Sequence, residues 1–313
     1  MAKWNWVLLA LGLCACAAAK TAAPPSLTAA PPPALPTVVV VISTSTLAPT
    51  PVPPSATPLP SPTPTDSPTP TATPEPLPTP DAQAQSRQAR VPILMYHYVE
   101  PWPAGADEIR KNLTVRPEDF TAQMEYLHQQ GYETVSLYDL VYALTLGRPL
   151  PPKPVIVTFD DGYASLPKYA VPTMERYGYR GTVFVITEFM DNGLPAYLTW
   201  PQAEGLYAAG WKIEPHTKSH EELAGRDRAF QLYQMLGSIQ TVAAHIGVQP
   251  RFFCYPSGKY DDTTLKLARE LNLWGAVTVD FGRTHTLKDL YTLTRVRVSG
   301  QEKLPEFTAG VAP

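Results

Sequence analysis

The chain has 313 residues and a formal net charge of −3, and 37 of its residues are proline. Basic and acidic residues are mixed without a basic block or an acidic tail, which argues against nucleic acid as a partner and says little about the substrate. The length allows one domain with a substantial core beside a non-globular segment.

The first residues have the pattern of an export signal. A positively charged start precedes an apolar segment over Trp4–Leu13, which is too short for a membrane-spanning helix. The run Leu13-Cys14-Ala15-Cys16 resembles a bacterial lipobox, although Cys14 stands where Ser, Thr or Ala is usual. We therefore expect residues 1–16 to be a signal peptide and lipobox region, with a lipid on Cys16. An ordinary cleaved signal peptide, and hence a secreted protein, is the alternative.

A proline-rich tract follows this signal. Of the 37 prolines, 20 lie between Pro24 and Pro80, and no Lys or Arg occurs between Thr21 and Ser86. Such a composition cannot bury enough apolar surface to offset its ordering entropy. We expect residues 17–89 to be a disordered, partly polyproline-II linker rich in Pro, Thr and Ala. A rival hypothesis makes this tract the functional part, as a stalk that spans a cell wall.

From Val91 onward, short apolar runs alternate with helical patterns. The predicted strands are Ile93–Met95, Val155–Phe159, Thr182–Ile186, Lys212–Glu214, Phe252–Tyr255, Ala276–Val279 and Leu293–Val298. The predicted helices are Pro117–Gln130, Ser136–Leu146, Leu166–Tyr177, Thr199–Ala209, Arg228–Ile246 and Asp261–Leu271. This alternation predicts an α/β domain over residues 90–313, with a parallel sheet closed as a barrel.

Polar residues follow several of the predicted strands directly. Asp160 and Asp161 come after one strand, His216 after another, and His97 and the run Pro256-Ser257-Gly258 after two more. In a β/α barrel, active sites assemble at the carboxyl ends of the strands. We therefore expect these groups to lie on one face of the domain.

The spacing of these residues indicates a metal site with a base beside it. A catalytic metal takes three protein ligands and keeps one position open, and Asp161, His216 and His220 offer such a set. Asp160 then remains free to move a proton. Taken separately, Asp-Asp-Gly is also a turn after a strand, and two histidines four residues apart also form a solvated helix face. Together they favour a metal-dependent hydrolase.

Some further residues have two interpretations. Cys254 lies in an apolar run and reads as a small buried hydrophobic residue rather than a nucleophile. Four aromatic residues either line a sugar-binding groove or belong to the core and its rim; these are Tyr163, Trp200, Trp211 and Trp274.

Three segments resemble the first three motifs of the NodB-type polysaccharide deacetylases, carbohydrate esterase family 4. They are Thr158-Phe159-Asp160-Asp161-Gly162, His216-Thr217-Lys218-Ser219-His220 and Arg251-Phe252-Phe253-Cys254-Tyr255-Pro256-Ser257-Gly258. The resemblance implies a distorted (β/α)₇ barrel and hydrolysis of N-acetyl groups on amino-sugar polymers. It also implies Asp160 as the catalytic base, the Ser257 backbone N–H as an oxyanion donor, and as metal ligands Asp161, His216 and His220.

The chain departs from the common family pattern in its catalytic acid. The late Leu-x-x-His motif is missing after Val279, whereas Val91-Pro92-Ile93-Leu94-Met95-Tyr96-His97 opens the domain. This order resembles the poly-N-acetylglucosamine deacetylases, in which an N-terminal histidine is the acid. The resemblance implies that role for His97, and the alternative is a residue that only ends a strand. A histidine suits this role because it can donate a proton near neutral pH.

Other departures concern the surroundings of the site. Ser257 replaces the usual Tyr or Phe, and Pro215 precedes His216 where Gly or Ser is typical. Arg251 is expected to orient a carboxylate near the base, or else to be a surface charge before a strand. Arg295 has the same two interpretations.

We therefore expect an exported, lipid-anchored, monomeric enzyme that deacetylates an extracellular amino-sugar polysaccharide such as peptidoglycan, poly-N-acetylglucosamine or a chitin-like polymer. The expected metal is Zn²⁺, with Co²⁺, Ni²⁺ or Mn²⁺ as alternatives. Two rivals remain: an O-acetyl (xylan) esterase with the same site, and a non-catalytic glycan-binding surface protein.

Overall fold

The structure is a computed structural model that describes residues 76–312. The predicted signal peptide and lipobox of residues 1–16, and the predicted linker as far as residue 75, lie outside the described residues.

Twelve strands and nine α-helices are present within residues 76–312. The strands are β1 Gln88–Arg90, β2 Ile93–Tyr96, β3 Tyr98–Val99, β4 Thr114–Val115, β5 Glu133–Thr134, β6 Pro154–Phe159, β7 Thr182–Val185, β8 Lys212–Pro215, β9 Phe252–Cys254, β10 Gly275–Phe281, β11 Thr284–Thr286 and β12 Leu293–Arg297. The helices are α1 Glu108–Leu113, α2 Pro117–Gln129, α3 Leu137–Leu146, α4 Leu166–Glu175, α5 Thr187–Asp191, α6 Trp200–Ala208, α7 Arg228–Ile246, α8 Asp262–Glu270 and α9 Leu304–Val311. No helix in this part of the chain has the length and hydrophobicity that crossing a membrane requires.

The main sheet is parallel and wraps into a distorted barrel. Seven strands follow one another in the order β8-β7-β6-β2-β12-β10-β9, and β5 pairs with β6 beside this path. α-Helices lie in most of the connections between these strands, as is usual for parallel pairing, whereas β11 and a 3₁₀ helix over Leu287–Thr292 lie between β10 and β12. The predicted α/β class and distorted (β/α)₇ barrel are confirmed.

Burial explains why these segments form strands and helices. Every residue of β2 is buried, as are the last five of β6, because helices cover a parallel sheet on one face and the barrel interior lies on the other. In α2 the buried side chains Phe120, Met124 and Leu127 recur at helical spacing. Burying one such side chain contributes about 1.5–3 kcal/mol. These periodicities are why the long helices were predictable.

The elements absent from the prediction are short or expose most of their residues. Helix α1 contains no buried residue, and the C-terminal helix α9 buries only Phe307 and Val311. A segment without an apolar face lacks the periodic signal on which sequence prediction depends.

The folded domain begins earlier than the predicted boundary at residue 90. The Asp81 N–H donates a hydrogen bond to the Thr145 carbonyl, Ala84 is buried, and β1 pairs with β11. The end of the predicted linker at residue 89 was therefore wrong. The polar composition of residues 81–89, and the proline-rich tract that precedes them, gave no sign of the few contacts by which these residues join the domain.

Candidate active site

The sheet brings the carboxylates and imidazoles of two distant motifs to the same end of the barrel. Asp160 and Asp161 directly follow β6, and His216 directly follows β8. Strand β7 lies between these two strands and runs parallel to both. The carboxyl ends of parallel neighbours meet at one edge, so the expected common face is present.

The backbone of these motifs adopts unusual conformations. Within residues 76–312, five non-glycine residues have positive φ, and four of them belong to the three motifs: Asp161 (71°), Thr217 (64°), His220 (61°) and Ser257 (54°). This region is unfavourable for residues with a Cβ, most of all for a β-branched residue such as Thr217. Strain of this kind persists where the surrounding structure fixes it, and it clusters at functional sites.

Three acceptor atoms converge at the centre of the site. Nε2 of His216 and Nε2 of His220 each lie 3.3 Å from Oδ1 of Asp161. The Nδ1–H of His216 donates to the Cys254 carbonyl at 2.7 Å, which leaves a lone pair on Nε2 of the neutral ring. Oδ1 of Asp161 is buried, and no hydrogen bond reaches it from the described residues. Such a cluster of lone pairs fits a divalent cation, which would satisfy all three atoms.

The electrostatics of this cluster favour an ionised carboxylate. Burial raises the pKa of the Asp161 carboxyl, but the two neighbouring imidazoles outweigh burial and hold its pKa well below its usual value. Partial burial lowers the pKa of His220, and the Asp161 carboxylate raises it to a greater extent, so the net shift is upward. The cluster therefore presents a negative charge to any cation that binds.

The neighbouring carboxylate, Asp160, is held by a buried arginine. Arg295 on β12 donates from its two terminal nitrogens to Oδ1 and Oδ2 of Asp160, each at 2.7 Å. Its Nε donates to the Thr278 carbonyl at 2.7 Å, and Nη1 also donates to the Thr158 hydroxyl at 3.1 Å. A two-point contact of this type fixes the carboxylate in orientation as well as in charge. Burial raises the pKa of Asp160, but Arg295 more than compensates, so its pKa lies below its ordinary value.

Comparison with known proteins agrees with this geometry. The family profile described as polysaccharide deacetylase matches residues 147–275. YxkH of Bacillus subtilis (strain 168), which is assigned to the polysaccharide deacetylases, is 33% identical over 213 residues, covering 68% of this chain and 73% of YxkH. The chain belongs to the polysaccharide deacetylase family. It is therefore a deacetylase of the hydrolase class.

Two further relatives of this deacetylase carry more specific names. The poly-β-1,6-N-acetyl-D-glucosamine N-deacetylase of Staphylococcus epidermidis is 24% identical over 215 residues, 63% of this chain and 71% of that protein. The enzyme of the same name from Escherichia coli (strain K12) is 33% identical over 99 residues, which are only 14% of its length. Among solved structures, the Streptococcus pyogenes deacetylase PplD in complex with acetate has a TM-score of 0.67 at 28% identity, covering 72% of this chain and 100% of PplD.

The arginine that holds the carboxylate in this deacetylase is Arg295 and not Arg251. Arg251 precedes β9, at the amino end of that strand, and its guanidinium donates to the Asn272 carbonyl at 3.1 Å. It is buried, so the alternative of a surface charge is wrong as well. The sequence did carry one signal for Arg295, because an arginine within an apolar strand requires a buried partner.

His97 and Ser257 lie at the carboxyl ends of their strands. His97 follows β2, whose Tyr96 carbonyl accepts a hydrogen bond from the Asp160 N–H at 2.9 Å. Burial lowers the pKa of His97, and the carboxylates of Asp160 and Asp161 partly offset that effect. Ser257 follows β9. Within residues 76–312, no group accepts a hydrogen bond from its backbone N–H. That N–H is therefore available to a ligand, and the catalytic roles of both residues stay predictions.

The aromatic residues divide between core and rim. Trp200, Trp211 and Trp274 are buried and pack in the interior. Tyr163 is half-buried and stacks on Tyr98, with 3.4 Å between the ring centroids. Burial and the nearby Asp161 carboxylate raise the pKa of the Tyr163 hydroxyl, so it stays protonated beside the site. Of the four candidates for a sugar-binding groove, the structure leaves Tyr163 at the site.

We predict that Gly258→Ala reduces both stability and turnover. Gly258 has a φ of +67°, and a Cβ there would lie 2.6 Å from Cγ2 and 2.9 Å from the backbone N of Val279. The left-handed conformation costs about 1–2 kcal/mol for alanine, and overpacking adds about 1–3 kcal/mol. The resulting shift should also displace the adjacent Ser257 N–H. Chemical denaturation and kcat for acetate release measure the two effects.

Gly178→Ala is the matched control for Gly258→Ala. Gly178 has a φ of +71°, but nothing lies within 4 Å of its Cβ position. This variant should be destabilised only by the cost of the left-handed conformation, about 1–2 kcal/mol, and should keep full kcat. Equal losses in the two variants would show that close contact with Val279 is unimportant.

Proposed function

We propose that this deacetylase is a metal-dependent hydrolase that removes N-acetyl groups from an extracellular amino-sugar polysaccharide. The observation that carries the proposal is the convergence of Asp161 Oδ1 with Nε2 of His216 and of His220, beside the arginine-held carboxylate of Asp160. One side of the site thus supplies ligands, and the other supplies a base. The names of the poly-β-1,6-N-acetyl-D-glucosamine N-deacetylases among the relatives support the amide rather than the ester as the bond cleaved.

The ligands we propose are Asp161, His216 and His220, which offer one carboxylate oxygen and two imidazole nitrogens. This set suits Zn²⁺, and Co²⁺, Ni²⁺ or Mn²⁺ are alternatives. When bound there, such a cation supplies Lewis acidity, which polarises an acyl oxygen and makes water more acidic. Because the His216 Nδ1–H is fixed on the Cys254 carbonyl, Nε2 is held as the ligating nitrogen.

Asp160 is the proposed general base. Its carboxylate accepts the proton of the water that attacks the acetamide carbon, and Arg295 prevents it from turning toward the ligands. A separate base is needed because Asp161, as a ligand, would have a lone pair committed to the cation and would be a poorer base. The two adjacent carboxylates therefore have different proposed roles.

Ser257 and His97 are proposed to complete the reaction. The Ser257 N–H lacks a protein acceptor within the described structure and can donate to the oxyanion of the tetrahedral intermediate. His97 lies near Asp160 and Asp161; burial lowers the pKa of His97, and the charges of these two carboxylates only partly offset that effect. His97 would donate a proton to the departing amine, which leaves a free amino group on the sugar and releases acetate.

We also propose that the protein acts outside the cell. The lipobox-like Cys16 would carry the lipid anchor, and the proline-rich tract before the folded domain would be the tether. Both proposals come from the sequence pattern. Detection of lipid on Cys16 by mass spectrometry of the membrane fraction tests the first, and loss of membrane association in Cys16→Ala is the corresponding genetic test.

Acetate release from a panel of glycans tests the proposed reaction. We expect the full chain, supplied with Zn²⁺, to release acetate from β-1,4- and β-1,6-linked N-acetylglucosamine oligomers, and a chelator to stop this release. Activity on acetylxylan alone would favour the O-acetyl esterase. Binding of a glycan without acetate release under Zn²⁺, Co²⁺, Ni²⁺ and Mn²⁺ would favour a non-catalytic protein.

A further inference from the structure

The barrel has one side where no backbone ladder closes it. Strands β8 and β9 are the two ends of the sheet path, and within residues 76–312 no strand pairing joins them. Pro215 on β8 has no N–H to donate, and proline is tolerated in a strand mainly at such an edge. We call the boundary between β8 and β9 the seam. The proposed ligand His216 directly follows β8, so the site borders the seam.

A buried glutamate crosses the seam at its amino end. Oε2 of Glu214 accepts the backbone N–H groups of Arg251 at 3.0 Å and of Phe252 at 2.9 Å. Oε1 accepts the hydroxyl of Tyr138 at 2.8 Å. The ring of Tyr138 in turn packs edge-on against Phe252, with centroids 4.9 Å apart. One carboxyl group therefore satisfies two buried donors of the facing strand.

His216 crosses the same seam two residues further along. Glu214 lies on β8 and His216 directly follows that strand, so side-chain alternation along the chain places these two residues on the same face. Their backbone partners, the Phe252 N–H and the Cys254 carbonyl, are also two residues apart on β9. The two side chains thus take the place of two backbone hydrogen bonds that a strand pairing between β8 and β9 would make. The contact of His216 orients a metal ligand, whereas that of Glu214 keeps β9 in register with β8.

We propose that Glu214 is a positioning residue for the metal centre: by closing the seam it holds the Cys254 carbonyl where that carbonyl orients His216. This inference rests on the proposed metal site. It does not place Glu214 among the ligands, because its carboxyl oxygens are already occupied by Tyr138, Arg251 and Phe252. Glu214 therefore acts on the His216 ring indirectly, through the position of β9.

The physical reason is the position of the donors that Glu214 satisfies. Without this acceptor, two buried backbone N–H groups of the facing segment would lose the hydrogen bonds that Glu214 accepts, which favours movement of β9 toward any other acceptor. The Cys254 carbonyl moves with that strand. Removal of the groups that orient a metal ligand typically weakens metal binding about 10–100-fold.

The test measures Zn²⁺ affinity of the full chain by competition with a chromophoric chelator, at a temperature well below unfolding. We expect Glu214→Leu to weaken Zn²⁺ binding about 10–100-fold. Glu214→Gln should bind within about threefold of the wild type, because its amide oxygen can accept both N–H groups and its amide nitrogen can donate to the Tyr138 oxygen. Tyr138→Phe should weaken binding less than Glu214→Leu does, and it serves as the decisive variant if Glu214→Leu does not fold. In Co²⁺-loaded protein, the d–d absorption should change in Glu214→Leu and not in Glu214→Gln.

Leu127→Ala is the control for a variant that loses stability without a change in the position of β9. Leu127 is buried on α2 and packs outside the seam, so it should lower the melting temperature and leave Zn²⁺ affinity unchanged. Unchanged affinity in both Glu214→Leu and Tyr138→Phe would overturn the inference, as would an equal loss in Leu127→Ala. If the wild type itself binds no Zn²⁺, Co²⁺, Ni²⁺ or Mn²⁺, the proposed metal site fails, and the inference fails with it.

Discussion

Replacing Asp160 by Asn is expected to remove most of the turnover while the site keeps its metal. An amide cannot accept the proton of the attacking water, and loss of a general base typically lowers kcat about 10²–10⁴-fold. The proposed ligands Asp161, His216 and His220 are unchanged, so Zn²⁺ affinity should stay close to that of the wild type. The measurements are kcat for acetate release and Zn²⁺ affinity by chelator competition.

The same substitution should also lower stability, because Asp160 is half of a buried ion pair. Asn can still accept one hydrogen bond from Arg295, but its NH₂ group faces a second guanidinium N–H, so one of the two contacts is lost. Leaving a buried donor unpaired costs about 1–3 kcal/mol. Asp262→Asn, at an exposed position in the first turn of α8, is the matched control and should leave kcat unchanged and lower stability by at most about 1 kcal/mol. An Asp160→Asn enzyme that retains metal and more than a tenth of the wild-type kcat would exclude Asp160 as the base.

Replacing His216 by Ala is expected to remove both the metal and the turnover. The substitution deletes one of three ligands and also the contact across the seam to the Cys254 carbonyl. Because loss of an orienting partner alone weakens metal binding about 10–100-fold, we expect loss of the ligand itself to weaken Zn²⁺ binding by more than about 100-fold. Chelator-treated wild type should recover acetate release at micromolar Zn²⁺, whereas His216→Ala should not.

His128→Ala provides the comparison for His216→Ala. His128 is an exposed histidine on α2, and its replacement should change neither Zn²⁺ affinity nor kcat. Tight Zn²⁺ binding by His216→Ala would show that the cation binds elsewhere. Together, Asp160→Asn and His216→Ala separate a residue that moves a proton from one that holds the metal.

The elements with a regular apolar pattern were predictable, with ends that differ from the structure by a few residues at most. Helix α3 begins after the Ser136 cap and ends at Gly147, which has a φ of 67°, and both residues are local signals of helix ends. The convergence of Asp160, Asp161, His216 and His220 followed from strand alternation, because parallel strands end on one face. Short segments such as α1 lacked any such signal, since no residue of that helix is buried.

The sequence indicated a buried partner for Arg295, but it could not show which of two arginines contacts Asp160. Arg251 and Arg295 both lie at or beside apolar strands, and either offered a charge for Asp160. Which one reaches that carboxylate depends on the end of the barrel at which it lies. Arg251 lies before β9, at the amino end, whereas Arg295 is in the middle of β12 and extends to Thr158 and Asp160.

Local sequence thus determined the secondary structure, the α/β class and the residue types gathered at the site, because periodicity and turn chemistry act between neighbours along the chain. Tertiary structure alone decided that Arg295 holds Asp160, that Glu214 and His216 bridge the seam, and that residues 81–89 join the domain. These contacts join segments far apart in sequence. They depend on strand order and register, which the assembled barrel fixes and no short stretch of sequence encodes.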